Sequence, residues 1–263
     1  MTLPTQSAPL ALITGASTGI GATYADRLAK RGYDLILVAR DGVKLKQLAA
    51  DIAERYGVAA QAFPADLTDA ASLKTVEQLI QATPALSLLI NNAGTILPRG
   101  FKNSDVEAID KLIQLNVTSV ARLSRVALDG LRQHQHGGII NIASVLALAA
   151  EISDPVYTAS KAFVLTFTQS LQVELADSGL YFQVVLPAAT RTDIWRKGGK
   201  NIDEIPGMME VGELVDAALV GFDNSEPVTI PPLQDEAKWL EFEKLRKALV
   251  PEFLQGRAAP RYR

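Results

Sequence analysis

What most constrains this chain is a succession of short, uninterrupted apolar runs separated by longer amphipathic stretches. Residues 10–14, 35–39, 59–63, 88–91, 139–144 and 181–186 are apolar nearly throughout, not at every second position. A strand with one wet face alternates in polarity. Runs of this kind belong to strands covered on both faces, as in a parallel sheet packed between helices. Between them, 21–30, 45–56, 72–81 and 163–176 carry apolar residues at helical spacing. Strand and helix in regular succession predict an α/β fold, a single-domain Rossmann-like doubly wound parallel sheet of about seven strands flanked by helices. The expected domain spans 10–250, with a short extension at 1–9 before it and a polar, basic tail at 251–263 after it. Past Arg191 the clean alternation stops. A polar, glycine-containing stretch at 195–206 precedes Met208 and Met209, and a helix at 211–221, a short strand at 228–230 and a helix over 235–249 are expected beyond them.

Composition narrows the function classes. A chain of 263 residues that is 48% hydrophobic can bury a large core without a staple. With no cysteine, a disulfide framework and a cysteine zinc site are excluded. A formal net charge of -3 is too mild for a nucleic-acid partner. Neither a signal-peptide pattern nor an apolar run of roughly 20 residues is present, so no membrane partner is expected and the location expected is the cytoplasm. His134 and His136 stand before Gly137-Gly138 at an expected helix end, where imidazoles suit the negative end of the dipole, and no metal is expected there.

Directly after the first strand comes Thr14-Gly15-Ala16-Ser17-Thr18-Gly19-Ile20-Gly21, and then a helix. Backbone amides at a helix start attract phosphate, and glycines let it approach closely. This is the pattern of a dinucleotide site, although the spacing differs from Gly-x-Gly-x-x-Gly. The end of the second strand reads the adenosine ribose: an acid there suits NAD, and an arginine accommodates the 2′-phosphate of NADP. Here the strand runs into Arg40-Asp41. Arg40 favours NADP(H) through the fit of guanidinium to phosphate, with NAD(H) preferred if Asp41 turns to the ribose.

Further motifs fall into order: Asp66-Leu67 after the third strand, Asn91-Asn92-Ala93-Gly94 closing the fourth, Asn116 in a helical stretch, Ser144 ending the fifth strand, and Tyr157-Thr158-Ala159-Ser160-Lys161 opening the next helix. Together they resemble the short-chain dehydrogenase/reductase family, NADP-preferring type, over roughly residues 10–193. The resemblance implies an oxidoreductase that moves hydride between NADP(H) and a small-molecule carbonyl or secondary alcohol. It implies that Gly15, Ser17, Thr18, Gly19 and Ile20 cradle the phosphates, that Asp66 and Leu67 meet the adenine, and that Asn91, Asn92, Ala93 and Gly94 line the adenosine side and brace the sheet. Pro187, Thr190 and Thr192 would flank the nicotinamide, and Asn116 would hold a helix irregularity and a relay water. Members usually carry glycine after the proline; this chain has Ala188.

The chemistry can also be argued from the residues. Tyr157 and Lys161 are four apart, one helical turn, so they share a face. A phenol with pKa of about 10 is a poor proton donor at neutral pH, and a neighbouring ammonium lowers it. Tyr157 would serve as acid/base and Ser144 would hydrogen-bond the substrate oxygen; the resemblance implies that Lys161 also holds the nicotinamide ribose. Ile96, Leu146, Ile152 and Trp195 could form an apolar substrate pocket, and the resemblance implies a lid over about 190–212. A homodimer through helices at 106–133 and 157–176 is expected from the resemblance. A homotetramer is the alternative, weakened by the sequence 226–232 where a glycine-rich strand is usual. Two other classes share part of the pattern: a non-catalytic NADP(H)-binding redox sensor, which need not keep Ser144, Tyr157 and Lys161 together, and a nucleoside-binding methyltransferase, which needs no Tyr157/Lys161 pair.

Overall fold

The computed structural model describes residues 8–134, 136–152, 154–192, 195, 204–205 and 207–263. The expected extension at 1–9 and lid at 190–212 therefore lie in part outside the described residues. Two compact units are resolved, Met1–Pro231 and Pro232–Arg263.

In the first unit, seven strands among the described residues form one sheet: β1 (Leu10–Thr14), β2 (Asp34–Ala39), β3 (Ala60–Pro64), β4 (Leu86–Asn91), β5 (Gly138–Ile142), β6 (Tyr181–Val185) and β7 (Val228–Thr229). Their order is β3-β2-β1-β4-β5-β6-β7 and every pairing is parallel. The helices between them are α1 (Gly19–Lys30), α2 (Gly42–Tyr56), α3 (Ala70–Gln81), α4 (Val106–Ile113), α5 (Ser119–Leu131), α6 (Pro155–Glu174) and α7 (Val211–Asp223). The second unit holds α8 (Glu236–Ala248), which has no buried residue, and two short 3₁₀ turns.

Two-faced burial explains the apolar runs. Ala11 and Ile13 of β1 and Leu35 and Leu37 of β2 pack with Leu28, Leu45, Ile52 and Val215 on one face. Leu12, Ile36 and Val38 pack with Val76, Ile80, Leu123 and Leu131 on the other. Neighbouring residues of one strand thus enter different cores, so neither set can be polar. Among the described residues no helix is long and apolar enough to cross a membrane.

The strand order turns back on itself between β1 and β4. Chains leave these two strands toward opposite faces, which opens a crevice at their carboxyl ends. The Thr14 hydroxyl ties the edges of that crevice. It accepts from the backbone amides of Asn92 and Ala93, both at 3.0 Å, and donates to the Ile90 carbonyl. The Asn92 amide donates back to the carbonyls of Thr14 and Gly15.

Two local details refine the expectation. The helix irregularity that the resemblance implies at Asn116 is a π turn at Gln114–Thr118, which divides the stretch at 106–133 into α4 and α5. And β5 stops at Ile142, so Ser144 stands two residues beyond the strand, where it caps a 3₁₀ turn by accepting from the Leu146 amide.

Asn91 does not line the crevice. It faces its register partner Asn141 in β5, and its Nδ2 donates to Asn141 Oδ1 at 2.9 Å and to the Ser124 hydroxyl at 3.0 Å. Asn141 in turn donates to Thr168. These four residues are buried, so a lost partner leaves a polar group without water. Asn141→Ala is expected to lower stability by about 2–3 kcal/mol, read as a lower urea midpoint at unchanged slope. A cost below about 0.5 kcal/mol would show that the network is not what braces β4 to β5.

Candidate active site

A cleft of about 650 Å³ opens at the β1/β4 crevice. The glycine turn forms its floor. Gly15 and Gly19 have φ of +65° and +57°, where a side chain is strained. At Gly15 a Cβ would also meet the Ala93 Cα at 2.8 Å, so this glycine serves close packing of β1 on β4 as well as the turn. Gly19 faces the other way, toward Thr192. Asp41, Asp69, Asp105 and Asp154 cap α2, α3, α4 and α6, whereas Thr18 at the head of α1 makes no capping bond through its side chain. The first turn of α1 thus presents amides without a side-chain acceptor to the cleft, with no acid nearby in that turn to oppose an anion.

The remaining cofactor candidates arrive from successive strand ends. Ser17, Ile20, Arg40, Asp66 and Leu67 line one arm of the cleft. Asp66 Oδ1 accepts from the Thr68 amide and hydroxyl, and Oδ2 lies 4.0 Å from Arg40. Asn92, Ala93 and Gly94 line the middle, and Pro187, Thr190 and Thr192 line the far arm. Trp195 reaches that arm too, and its indole N–H donates to the Thr190 carbonyl at 2.8 Å. A parallel bridge between Thr190 and Met209 closes the base of the segment that follows β6. The backbone runs through Ala188 with no left-handed turn, since Ser225 is the only non-glycine residue with positive φ among the described residues. The position where the resemblance implies glycine therefore accepts alanine without backbone strain.

Ser144, Tyr157 and Lys161 also line the cleft. Asp154 caps α6 by accepting from the amides of Val156 and Tyr157, and Pro155 occupies the first turn, so the helix starts where Tyr157 and Lys161 fall on its inner face. Lys161 is 5% exposed; its Nζ donates to the Ile142 carbonyl at 2.9 Å and lies 5.7 Å from the Tyr157 ring centroid. Ser144 hydrogen-bonds Tyr157, and its hydroxyl also lies 3.3 Å from the Pro187 carbonyl. Burial is the dominant influence on both titrating groups. It pushes the Tyr157 hydroxyl up to about 12, with the Ser144 hydrogen bond pulling down and Asp154 pushing up, and it pulls the Lys161 ammonium down to about 8.

Asn116 is buried and stands behind this group, not on the cleft. Its Oδ1 accepts from the Thr95 amide, and its Nδ2 donates to the Thr95 carbonyl and to Ser160. Ser160 donates to the Tyr157 carbonyl, so Asn116 is tied to the helix that carries Tyr157. Among the substrate candidates, Trp195 lines the cleft. Ile96 and Leu146 are half-buried and Ile152 is exposed, and none of these three lines it. Residues that sequence reasoning passed over include Lys44 and Thr95 on the cleft and Ser160 behind it. Lys44 carried no signal beyond that of a solvated helix residue. Thr95 directly follows the Asn91–Gly94 motif and could have been found there.

The fold and this cleft define a dinucleotide-binding protein of the doubly wound class. Residues 9–203 match the short chain dehydrogenase family, and the chain belongs to it. It is 32% identical over 198 residues to a very-long-chain 3-oxoacyl-CoA reductase of Anas platyrhynchos, and 34% identical over 195 residues to 17-beta-hydroxysteroid dehydrogenase type 3 of Homo sapiens. These matches take in 74% and 73% of the chain but only 64% and 62% of the relatives. Among solved structures, a short-chain dehydrogenase from Sphingobium yanoikuyae in complex with NADPH is 49% identical, with a TM-score of 0.95 over 97% of this chain and 100% of that one. A bulky-bulky ketone specific alcohol dehydrogenase from Comamonas testosteroni is 43% identical, with a TM-score of 0.90 over 98% and 99%.

The sign of the Lys161 shift yields a test. In the unfolded chain the ammonium titrates near 10.5 and in the folded protein near 8. Between those values the unfolded state binds the extra proton, so this group makes stability rise with pH there, and below 8 it costs stability. Lys161→Met lacks the group. Its stability minus that of the wild type, from urea unfolding, is expected to fall as pH is raised from about 7 to 10; a difference independent of pH would contradict burial as the cause.

Proposed function

We propose that this chain is an NADP(H)-dependent oxidoreductase that interconverts the carbonyl and secondary alcohol of an apolar small molecule, with Tyr157 as acid/base. One observation carries the reading: Tyr157, Ser144 and Lys161 meet on a single cleft whose other arm bears the unshielded first turn of α1 and, past it, Arg40. The residues fit a dinucleotide. Gly15, Ser17, Thr18, Gly19 and Ile20 would hold the phosphates, Asp66 and Leu67 the adenine, Arg40 the 2′-phosphate, and Asn92, Ala93 and Gly94 the adenosine side. Lys161 and Tyr157 would hold the nicotinamide ribose, and Pro187, Thr190 and Thr192 the nicotinamide. The NADPH complex of the Sphingobium relative and the ketone specificity named for the Comamonas relative support the same choice of cofactor and substrate class.

NADPH, when bound, supplies the hydride that adds to the carbonyl carbon. The Tyr157 hydroxyl gives its proton to the carbonyl oxygen, and the Ser144 hydroxyl donates a hydrogen bond to the same oxygen as charge develops there. Lys161, buried one turn away, stabilises the phenolate left behind. Both amide protons of Asn116 are taken by Thr95 and Ser160, so a relay water there would meet this residue as a donor to one of its oxygens. The oxidation of an alcohol follows the same path in reverse. Trp195 forms the apolar substrate side together with Ile96, Leu146 and Ile152, and the segment at about 190–212 acts as lid within a domain spanning 10–250. The protein works in the cytoplasm as a homodimer; exposed Val106 on α4 and Val173 on α6 support pairing through these helices.

Tyr157→Phe removes the proton donor but keeps the ring. It is expected to lower turnover of a ketone with NADPH by about a hundredfold or more while NADPH still binds. Near-wild-type turnover would end the acid/base assignment. Arg40→Asp is expected to weaken NADPH far more than NADH in a fluorescence titration; equal weakening of both would mean that Arg40 does not meet the 2′-phosphate.

A further inference from the structure

The second unit, Pro232–Arg263, cannot cover its own apolar side chains. It is shorter than the roughly 40 residues that a self-supporting core needs, and its one long helix, α8, has 13 residues and none of them buried. A helix of that length is marginal in water unless one face is packed. Phe242, Leu245 and Leu249 are spaced three and four apart, so they share one stripe of α8, and all three are exposed, Leu245 at 63%. Phe253, in the 3₁₀ turn Pro251–Leu254 that follows, is 73% exposed. Single apolar residues on a surface need no explanation, but a stripe at this spacing is the seam of a helix pair.

Charge selects what covers the stripe. Residues 235–243 hold four acids and one base, a net of -3, whereas residues 244–257 hold four bases and one acid, a net of +3. Asp235 and α8 together hold four acids and four bases, so the segment has no net pull toward an anionic lipid surface. Its charge is divided along its length instead. A second copy laid antiparallel sets the acidic half of each helix against the basic half of the other, and a two-fold axis makes that contact twice. A parallel copy would set like charge against like. The division also suits the dipole of α8 within one copy, but the dipole leaves the exposed stripe unexplained.

We propose that α8 pairs antiparallel with α8 of a second copy of this chain, across a two-fold axis near Leu245, with Phe242, Leu245 and Leu249 as the apolar seam. This surface is separate from the pairing through α4 and α6, and the inference does not depend on how the cleft is read. Where both axes operate, two dimers close into a tetramer.

The test is the molar mass of the full chain in solution, by light scattering on a sizing column. Phe242→Gln combined with Leu249→Gln removes the seam at exposed positions and keeps helix propensity. It is expected to bring the mass to about half that of the wild type, which holds whether the wild type is a dimer or a tetramer. Glu236→Lys combined with Glu241→Lys is expected to weaken association at least about tenfold, because it sets bases against bases. The chain has no cysteine, so an introduced one reports orientation. Leu245→Cys, near the axis, is expected to cross-link to its own copy on mild oxidation. Lys238→Cys is not, because antiparallel copies hold position 238 more than about 15 Å apart, beyond disulfide reach. Unchanged mass of the glutamine variant, or cross-linking of Lys238→Cys as readily as Leu245→Cys, overturns the antiparallel pair. A wild-type protein that stays monomeric and sediments with phosphatidylserine vesicles also overturns it, in favour of a lipid surface.

Discussion

The tie between the ends of β1 and β4 is the constraint on which the site depends. The Thr14 hydroxyl holds the amides of Asn92 and Ala93, and the Asn92 side chain holds the carbonyls of Thr14 and Gly15. These bonds fix the point where the strand order turns back, and with it the distance between the glycine turn and the motif that closes β4. Gly15 is required there on two grounds, its left-handed backbone and the 2.8 Å approach a Cβ would make to Ala93. Phosphate cradle and crevice are thus consequences of one packing contact. The far arm is set separately, by Trp195 bonding Thr190 and by the bridge from Thr190 to Met209.

The reaction centre is placed by opposing demands of burial. Lys161 is nearly sealed, with one hydrogen bond to the Ile142 carbonyl, and its ammonium is correspondingly weakened as a base-holding charge. Tyr157 is pushed away from the working range, not toward it. The spacing of Tyr157 and Lys161 suggested a lysine that lowers the tyrosine. Instead burial dominates, and the hydrogen bond with Ser144 is the influence that pulls down. The positive nicotinamide ring of the oxidised cofactor is the further charge that would favour the phenolate on the proposed pathway. Cofactor and acid/base are in that sense one device.

The layout was largely readable from the chain because doubly buried strands cannot hide: Leu12 and Ile13 enter different cores, so the run has to be continuous. Strand ends were readable wherever Gly, Asn or Asp punctuated them, which is how Gly15, Asp66 and Asn92 were located. Three features were invisible to residue spacing for physical reasons. The first two turns of α6 carry Thr158, Ser160 and Lys161 buried against a polar site, so apolar spacing starts only at Phe163 and the start of the helix was readable only through the Tyr157–Lys161 motif. The π turn at Gln114–Thr118 was expected only through resemblance, since the change in hydrogen bonding leaves the apolar spacing of 106–131 nearly intact. Asn141, inside an apolar run, was overlooked as a partner because only the sheet register sets it opposite Asn91. Pro231-Pro232 marks the division between the two units, a breaker pair visible in the chain that composition alone did not single out.

What separates a reductase from a protein that only binds the dinucleotide is whether Tyr157, Ser144 and Lys161 pass a proton to a substrate. The direct measurement is NADPH consumption by the wild-type protein across a panel of apolar ketones and aldehydes, with the alcohol quantified in parallel. The account predicts loss of NADPH absorbance with at least one carbonyl compound and alcohol formed in equal amount. Saturable NADPH binding with no carbonyl reduced, and no alcohol oxidised with NADP in the reverse assay, would contradict it and leave a dinucleotide-binding sensor as the reading of this cleft.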